Sequence, residues 1–183
     1  MPVKLKEKSQ VLTDLDLDRC ITRMAHEIIE HNKGVENLVV VGMRTRGYHI
    51  AKRLAAKIEE IENRKIPVGA LDVTFYRDDY RTKLKQPGVR ATEILFPIEG
   101  QRVILVDDVL YTGRTVRAAL DELVDLGRAQ NIQFAVLVDR GHREMPIRAD
   151  YVGKNIPTSQ DEEISVRVKE EDNADGVWLM EVK

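Results

Sequence analysis

The residues best placed to do chemistry lie in one run, Val103-Ile104-Leu105-Val106-Asp107-Asp108-Val109-Leu110-Tyr111-Thr112-Gly113-Arg114-Thr115. Val103 to Val106 is an uninterrupted aliphatic stretch, the pattern of a strand buried on both faces. Two carboxylates stand where it ends. The turn Thr112-Gly113-Arg114-Thr115 then leads into an apolar-periodic segment, Val116 to Leu126, that reads as a helix. A helix start presents unpaired N–H groups and the positive end of the macrodipole, so it favours a phosphate. Gly113 lets the backbone approach closely, and the two Thr hydroxyls can donate to phosphate oxygens. Carboxylates repel a phosphate, so Asp107 and Asp108 must serve some other group. They can accept hydrogen bonds from a sugar diol or meet Mg²⁺. The run predicts a ligand with a phosphate, a ribose-like diol and a metal.

A second run repeats this pattern earlier in the chain. Leu38-Val39-Val40-Val41 is a buried strand, Gly42-Met43-Arg44-Thr45-Arg46-Gly47 a small cationic turn, and Tyr48 to Ile61 a helix. Phe134-Ala135-Val136-Leu137-Val138 adds a third buried strand, ending in Asp139-Arg140-Gly141-His142-Arg143. Strands alternating with helices predict an open α/β sheet, mainly parallel and flanked by helices, which binds ligands at the carboxyl ends of its strands. Arg44 and Arg46 then fall on the same edge as Asp107 and Asp108, able to clamp a second anionic group.

The other elements frame this edge. Residues 1 to 12 read as a mobile or loosely paired lead-in. Thr13 or Asp14 is an N-cap for a first helix whose buried stripe is Ile21, Met24, Ala25, Ile28 and Ile29, and Asn32-Lys33-Gly34 stops it. Val68 to Tyr76 alternates as a half-buried strand. Residues 77 to 97 are cation-rich without apolar periodicity, which predicts a long loop able to act as a lid. Residues 140 to 160 read as an irregular cap, or hood, over the strand ends. Ile164 to Val168 and Val177 to Val182 are late strands with no tight-turn signal to pair them. The whole, residues 1 to 183, is one domain.

Composition narrows the function. There is no apolar run of about 18 residues, so no membrane span is expected. The single Cys20 and the absence of a signal-peptide pattern at the N-terminus make the cytoplasm the default. A net charge of -2 excludes a globally basic nucleic-acid binder. Charge is uneven, however: residues 159 to 175 hold seven acids against Arg167 and Lys169. The histidines His26, His31, His49 and His142 have no metal-ligand spacing and read as surface or capping residues. A receiver-type acidic pocket, the rival for Ile104 to Asp108 alone, ordinarily lies on a first strand and lacks Thr-Gly-x-Thr. A P-loop is disfavoured because no GxxxxGK[ST] is present.

The central run resembles the phosphoribosyl diphosphate (PRPP) motif of type I phosphoribosyltransferases. Tyr111 in that motif is usual in one subgroup, the bifunctional pyrimidine operon regulators and uracil phosphoribosyltransferases, the PyrR family. Arg23 to Glu30, Thr45-Arg46-Gly47, Tyr76 to Asp79, Leu137 to Glu144, Pro146 to Tyr151 and Gly153 to Ser159 extend the resemblance almost end to end. It implies a type I phosphoribosyltransferase fold with a flexible loop and a hood in the C-terminal half. It implies that uracil and PRPP give UMP and diphosphate, with Mg²⁺ as cofactor. Asp107 and Asp108 would hold the ribose diol, meeting the metal only through PRPP-bound Mg²⁺. Val109 and Leu110 would line the nucleotide site, and Tyr111, Thr112, Gly113, Arg114 and Thr115 would cradle the 5′-phosphate. Thr45 and Arg46 would form the pyrophosphate loop, often with a non-proline cis peptide. Arg77 would stand at the root of the lid, and Arg140 would cover the pyrimidine. Asp107, Asp108 and Arg46 are then the catalytic candidates.

The same resemblance implies regulation. Protein loaded with UMP or UTP would bind the leader mRNA of pyrimidine genes, through positions Thr22, His26, Arg143, Arg148 and Lys154, as a homodimer or dimer of dimers. Two other outcomes stay open: a phosphoribosyltransferase with no RNA role, and a nucleotide-sensing RNA-binding regulator with little catalysis.

Overall fold

Aliphatic runs with no polar interruption can satisfy their backbone only by pairing on both sides. The computed structural model, which describes residues 5–73 and 92–182, shows that pairing. In chain order the elements are β1 (Leu5–Leu12), α1 (Asp14–Asn32), β2 (Leu38–Met43), α2 (Arg46–Glu62), β3 (Val68–Leu71), β4 (Arg102–Leu110), α3 (Arg114–Leu126), β5 (Asn131–Asp139), β6 (Tyr151–Asn155), β7 (Glu162–Arg167), α4 (Lys169–Asp172) and β8 (Gly176–Val182). Among the described residues, β3-β2-β4-β5-β6 form a sheet in that order with every pairing parallel.

That order contains one reversal. From β2 the chain steps outward to β3, then returns to the other side of β2 at β4. In an open α/β sheet the crevice at the carboxyl ends of the strands flanking such a reversal is where ligands bind. Here it lies beyond β2 and β4, the two strands that lead into the Arg44–Arg46 and Tyr111–Gly113 turns.

The sheet is buried on both faces. Ile104 and Val106 of β4 join α1 and α2 in one core, with Ile21, Met24, Ile28, Ile50, Leu54 and Ile58. Val103 and Leu105 face the other way, onto Val116, Ala119 and Leu123 of α3. Helix α1 starts at a capping box: the Asp16 N–H donates to Thr13 Oγ1 and the Thr13 N–H donates to Asp16. It ends at Lys33 in the left-handed region, where the Gly34 N–H bonds back to Ile29.

Several expectations need correcting. The supposed lead-in is a strand, β1, paired antiparallel with β8, which in turn pairs antiparallel with β7. The late strands thus share a second sheet, ordered β1-β8-β7, with α4 in their connection instead of a tight turn. This sheet and α4 form the hood. Of the segment 140 to 160, only residues 140–150 and 156–160 are irregular; Tyr151–Asn155 is the edge strand of the parallel sheet. Its short run with Gly153 and two polar ends carried too little periodicity to be told from loop. Strand β4 continues to Leu110, so Asp107 and Asp108 sit inside it rather than after it. Residues 74 to 76 of the alternating strand and 77 to 91 of the cationic loop, Arg77 among them, lie outside the described residues. Of that loop's end, Glu93 bridges antiparallel to Ala70.

Candidate active site

Two turns face each other across the β2/β4 crevice. The first links β2 to α2, and its Arg44–Thr45 peptide is cis. The second links β4 to α3 through Gly113, which takes φ 92°, a left-handed conformation that glycine adopts without cost. No side-chain hydrogen bond from the N-cap residue closes the start of α2 or of α3. Helix α1, which starts elsewhere, has a full capping box. At α3 the Arg114 N–H reaches Thr112 Oγ1 at 3.3 Å; helix starts without a cap bond from the N-cap side chain suit a ligand's anionic oxygens.

The acid pair lies between them. Asp107 is buried at 5% exposure; its Oδ1 accepts the Asp108 N–H at 2.9 Å, and Asp108 Oδ1 accepts the Val109 N–H at 2.9 Å. Gly47, in the first turn of α2, packs directly on this strand. A Cβ there would stand 2.8 Å from the Val106 carbonyl oxygen and 3.2 Å from Asp107 Oδ1. The absent side chain therefore sets how closely the cationic turn approaches the acids.

Beyond Asp107 opens a cavity of about 410 Å³, large enough for a nucleotide-sized ligand. Its lining combines Asp107, Val109 to Gly113, Thr115, Val116 and Arg140 with Glu163 and Ile164 of the hood. Arg140 is buried at 6% exposure. Its guanidinium carbon lies 4.0 Å from the centroid of the Tyr111 ring, its Nε donates to Thr158 Oγ1 at 3.0 Å and its Nη2 to the Glu162 carbonyl at 2.5 Å. Burial pulls this guanidinium below its ordinary value, opposed by Tyr111, Glu163 and Glu162. The ring of His142 meets the Tyr111 ring edge-on at 5.8 Å.

The phosphate-type turn is held from behind by the segment after β5. The Arg143 Nη1 donates to the Tyr111 carbonyl at 2.6 Å and its Nη2 to Asp139 at 2.5 Å. The Glu144 and Met145 N–H groups both donate to the Thr112 carbonyl, and Arg114 pairs with Glu144 at 2.6 Å. These bonds tie the Tyr111 and Thr112 carbonyls to the segment after β5.

Arg46 and Arg44 separate. Arg46 forms a fork with Asp172 of the hood, Nε to Oδ2 at 2.9 Å and Nη2 to Oδ1 at 2.6 Å. Hydrogen bonding to Asp172 raises the Arg46 pKa against the opposite pull of burial, with Asp108 and Glu171 adding to the rise. The same bond holds Asp172 below the usual carboxylate range. Arg44 pairs with Glu93 at 2.9 Å and lies over the Tyr48 ring.

The cationic positions also fall into two groups. Arg19, Thr22, Arg23 and His26 follow helical spacing along one face of α1. Lys154 joins Arg19 and Arg23 in lining a groove of about 450 Å³ beside the edge strand β6. Arg148 is exposed. Arg143 is committed to the Tyr111 turn. Asp172, Glu163, Ile164 and Thr158 were not candidates from sequence. The acid-rich tail was visible there, but not what it touches.

Two carboxylates from adjacent positions do not build a magnesium shell, and no group of three or more potential metal ligands occurs among the described residues. The donor set fits a hard cation that brings further oxygens from a bound phosphate ligand.

Comparison with known proteins agrees with this geometry. The family model for the phosphoribosyl transferase domain matches residues 9–172. The chain belongs to the phosphoribosyltransferase family. Within it, the chain is 60% identical over 176 residues to "Bifunctional protein PyrR" of Pelotomaculum thermopropionicum, covering 96% of this chain and 97% of that protein. The protein of the same name from Deinococcus radiodurans is 56% identical, covering 95% of each, and that of Bacillus cereus 59%, covering 96% and 98%. It is therefore a member of the PyrR branch. Among solved structures, the hypoxanthine phosphoribosyltransferase of Trypanosoma cruzi superposes with a TM-score of 0.74 at 19% identity, covering 95% of each chain. That of Staphylococcus aureus gives 0.69 at 20% identity, covering 97% of this chain and 93% of the other. At such identities the likeness establishes the type I phosphoribosyltransferase fold. No helix among the described residues is long and apolar enough to cross a membrane.

Proposed function

We propose that this protein transfers the phosphoribosyl group of PRPP to uracil, giving UMP and diphosphate. The observation that carries the reading is the pair of helix starts, neither closed by its N-cap side chain, facing each other across Asp107 and Asp108 at the sheet's reversal point. In this reading the turn from Tyr111 to Thr115 takes the 5′-phosphate and the carboxylates of Asp107 and Asp108 accept from the ribose hydroxyls. Thr45 and Arg46 take the diphosphate. Mg²⁺, carried in on PRPP, neutralises diphosphate charge. The bond from the anomeric carbon to diphosphate oxygen breaks as the bond to the uracil nitrogen forms, and the proton of that nitrogen passes to the departing diphosphate or to solvent. Positive charge developing on the ribosyl ring lies beside Asp107 and Asp108, which stabilise it. No side-chain nucleophile is required; the chain contributes orientation and charge.

The base belongs against the wall formed by Val109, Tyr111, Arg140 and Ile164. Its apolar members exclude water, which otherwise hydrolyses PRPP. The relatives' shared name supports a pyrimidine as the base. UMP formation from uracil, PRPP and Mg²⁺ tests the proposal, with Asp107→Asn and Arg46→Ala as controls. Purified protein that makes no UMP would refute it. Uracil, cytosine, hypoxanthine and guanine in competition read the base selectivity.

A second activity follows from the α1 face. Arg23 is tied to Glu27 and the Val152 carbonyl, which leaves Arg19, Thr22 and His26 with neighbouring Lys154, together with Arg148, to meet an RNA backbone, doubled in a homodimer or dimer of dimers. The ligand is the leader transcript of pyrimidine genes, bound when the active site holds UMP or UTP, in the cytoplasm where both occur. Arg143 would act there through the Tyr111 turn it supports. Binding that does not change with UMP would refute this link.

A further inference from the structure

Helix α2 presents a stripe of nitrogen side chains at i, i+3 and i+7: Arg46, His49 and Arg53. The acid-rich end of the hood runs against it. Asp172 takes Arg46, Glu171 takes His49 at 2.8 Å, and Glu170 and Asp175 take Arg53 at 2.5 and 2.8 Å. Burial alone would lower Arg53, but its hydrogen bonds to Glu170 and Asp175 outweigh that and raise its pKa. Four of the seven acids that unbalance the chain's charge thus form one clasp between hood and α2.

Only the Arg46 end of the clasp reaches the crevice. Its fork with Asp172 uses Nε and Nη2, and among the described residues Nη1 has no hydrogen-bond partner. The Asp172 carboxylate is fixed in turn: its Oδ2 also accepts the Val168 N–H at 3.0 Å. A bidentate fork sets both the position and the plane of a guanidinium. We infer that Asp172 is a positioning residue for the transfer reaction, holding Arg46 so that its Nη1 edge is presented to the diphosphate. The inference rests on the reading that Arg46 binds diphosphate. A carboxylate competing with diphosphate for Arg46 would have to swing away. Asp172 is tied to backbone, and α4 is anchored to α2 by the Arg53 pairs, so the geometry favours support over competition.

The test is Asp172→Asn, which keeps shape and removes charge. The expected result is a fall in kcat/KM for PRPP of about 10-fold to 100-fold, the scale of a misplaced binding group. The KM for uracil should stay unchanged. Arg46→Ala should fall at least as far, and Arg46→Ala combined with Asp172→Asn should match Arg46→Ala alone, because Asp172 acts only through Arg46. Glu170→Gln leaves Arg53 on Asp175 and the Val168 N–H on Asp172, so it should lower Tm without changing kcat/KM for PRPP. A lowered KM for PRPP in Asp172→Asn overturns the inference in favour of competition. Additive effects in the double variant, or an equal loss in Glu170→Gln, overturn it in favour of a purely structural clasp. If Arg46→Ala handles PRPP normally, the diphosphate reading of Arg46 itself fails.

Discussion

Replacing Gly47 by alanine should damage stability and catalysis together. The glycine is not among those with positive φ, so its backbone conformation suits any residue, and alanine is the better helix former by about 1 kcal/mol. Propensity alone therefore predicts stabilisation. Packing predicts the reverse. The added methyl would stand 2.8 Å from the Val106 carbonyl oxygen, 3.0 Å from Asp107 Cα and 3.2 Å from Asp107 Oδ1. Two of these belong to the backbone of a central strand paired on both sides, so no rotamer change relieves them. Restoring contact near 3.5 Å requires α2 to back away from β4 by roughly half an ångström. Overpacking of this kind costs about 1–3 kcal/mol. Against the gain in propensity, a net loss of up to about 2 kcal/mol remains, a Tm lower by up to about 8 °C for a chain of this size. Because Arg46 precedes Gly47 directly, the retreat also widens the gap between the cationic turn and Asp107. A displacement of about 1 Å costs up to 100-fold in rate, so about 10-fold in kcat/KM is expected here. Thermal unfolding and steady-state UMP formation read the two effects. A raised Tm with undiminished kcat/KM would show that the close approach of α2 to β4 does not govern the site.

Gln133→Leu should destabilise by about 1–3 kcal/mol in urea titrations, because it strands Asn32 and the Tyr151 hydroxyl, which meet at Gln133 in the core; an unchanged midpoint would argue against that network. Acid should unfold the protein through the hood. Glu162 is held down to about 2, chiefly by its hydrogen bond from Lys8, and Glu170 and Asp172 are lowered by Arg53 and Arg46. The unfolded chain then binds more protons, so this stability is present above the ordinary carboxylate values and lost as pH falls through about 4.5 toward 2. Tm measured across that range should drop, and less steeply in Glu162→Gln. Arg148→Ala should weaken RNA binding at all sequences and reduce the salt slope by about 1; an unchanged slope would remove Arg148 from the interface.

The centre of the parallel sheet was legible because β2, β4 and β5 are each built on an unbroken aliphatic run, and each of the long helices carries a stripe at helical spacing. Those are local signals. The hood was not legible in the same way. Strand β1, with Lys6, Glu7, Lys8 and Ser9, is mostly exposed and carries no apolar period. Its partner β8 lies at the opposite end of the chain. Strand β6 is short and mixed. In both cases pairing, rather than propensity, makes the strand.

The division is similar at the site. By itself, the sequence proposed Tyr111 to Thr115 for a phosphate and Asp107 with Asp108 for a diol, and its family resemblance added Thr45 with Arg46 for a diphosphate. Each set is contiguous in the chain, and backbone turns of that kind carry their geometry with them. Tyr111 also narrowed the family. Only the tertiary structure decided which distant side chains complete the set. Arg143 lies behind the Tyr111 turn, Arg140 is fixed by Thr158 and Glu162, and Asp172 is forked to Arg46 across 126 positions. A charge run in a sequence has magnitude but no direction. The antiparallel pairing of β7 and β8 around α4 gave the acidic tail its direction, by turning its carboxylates onto one face of α2.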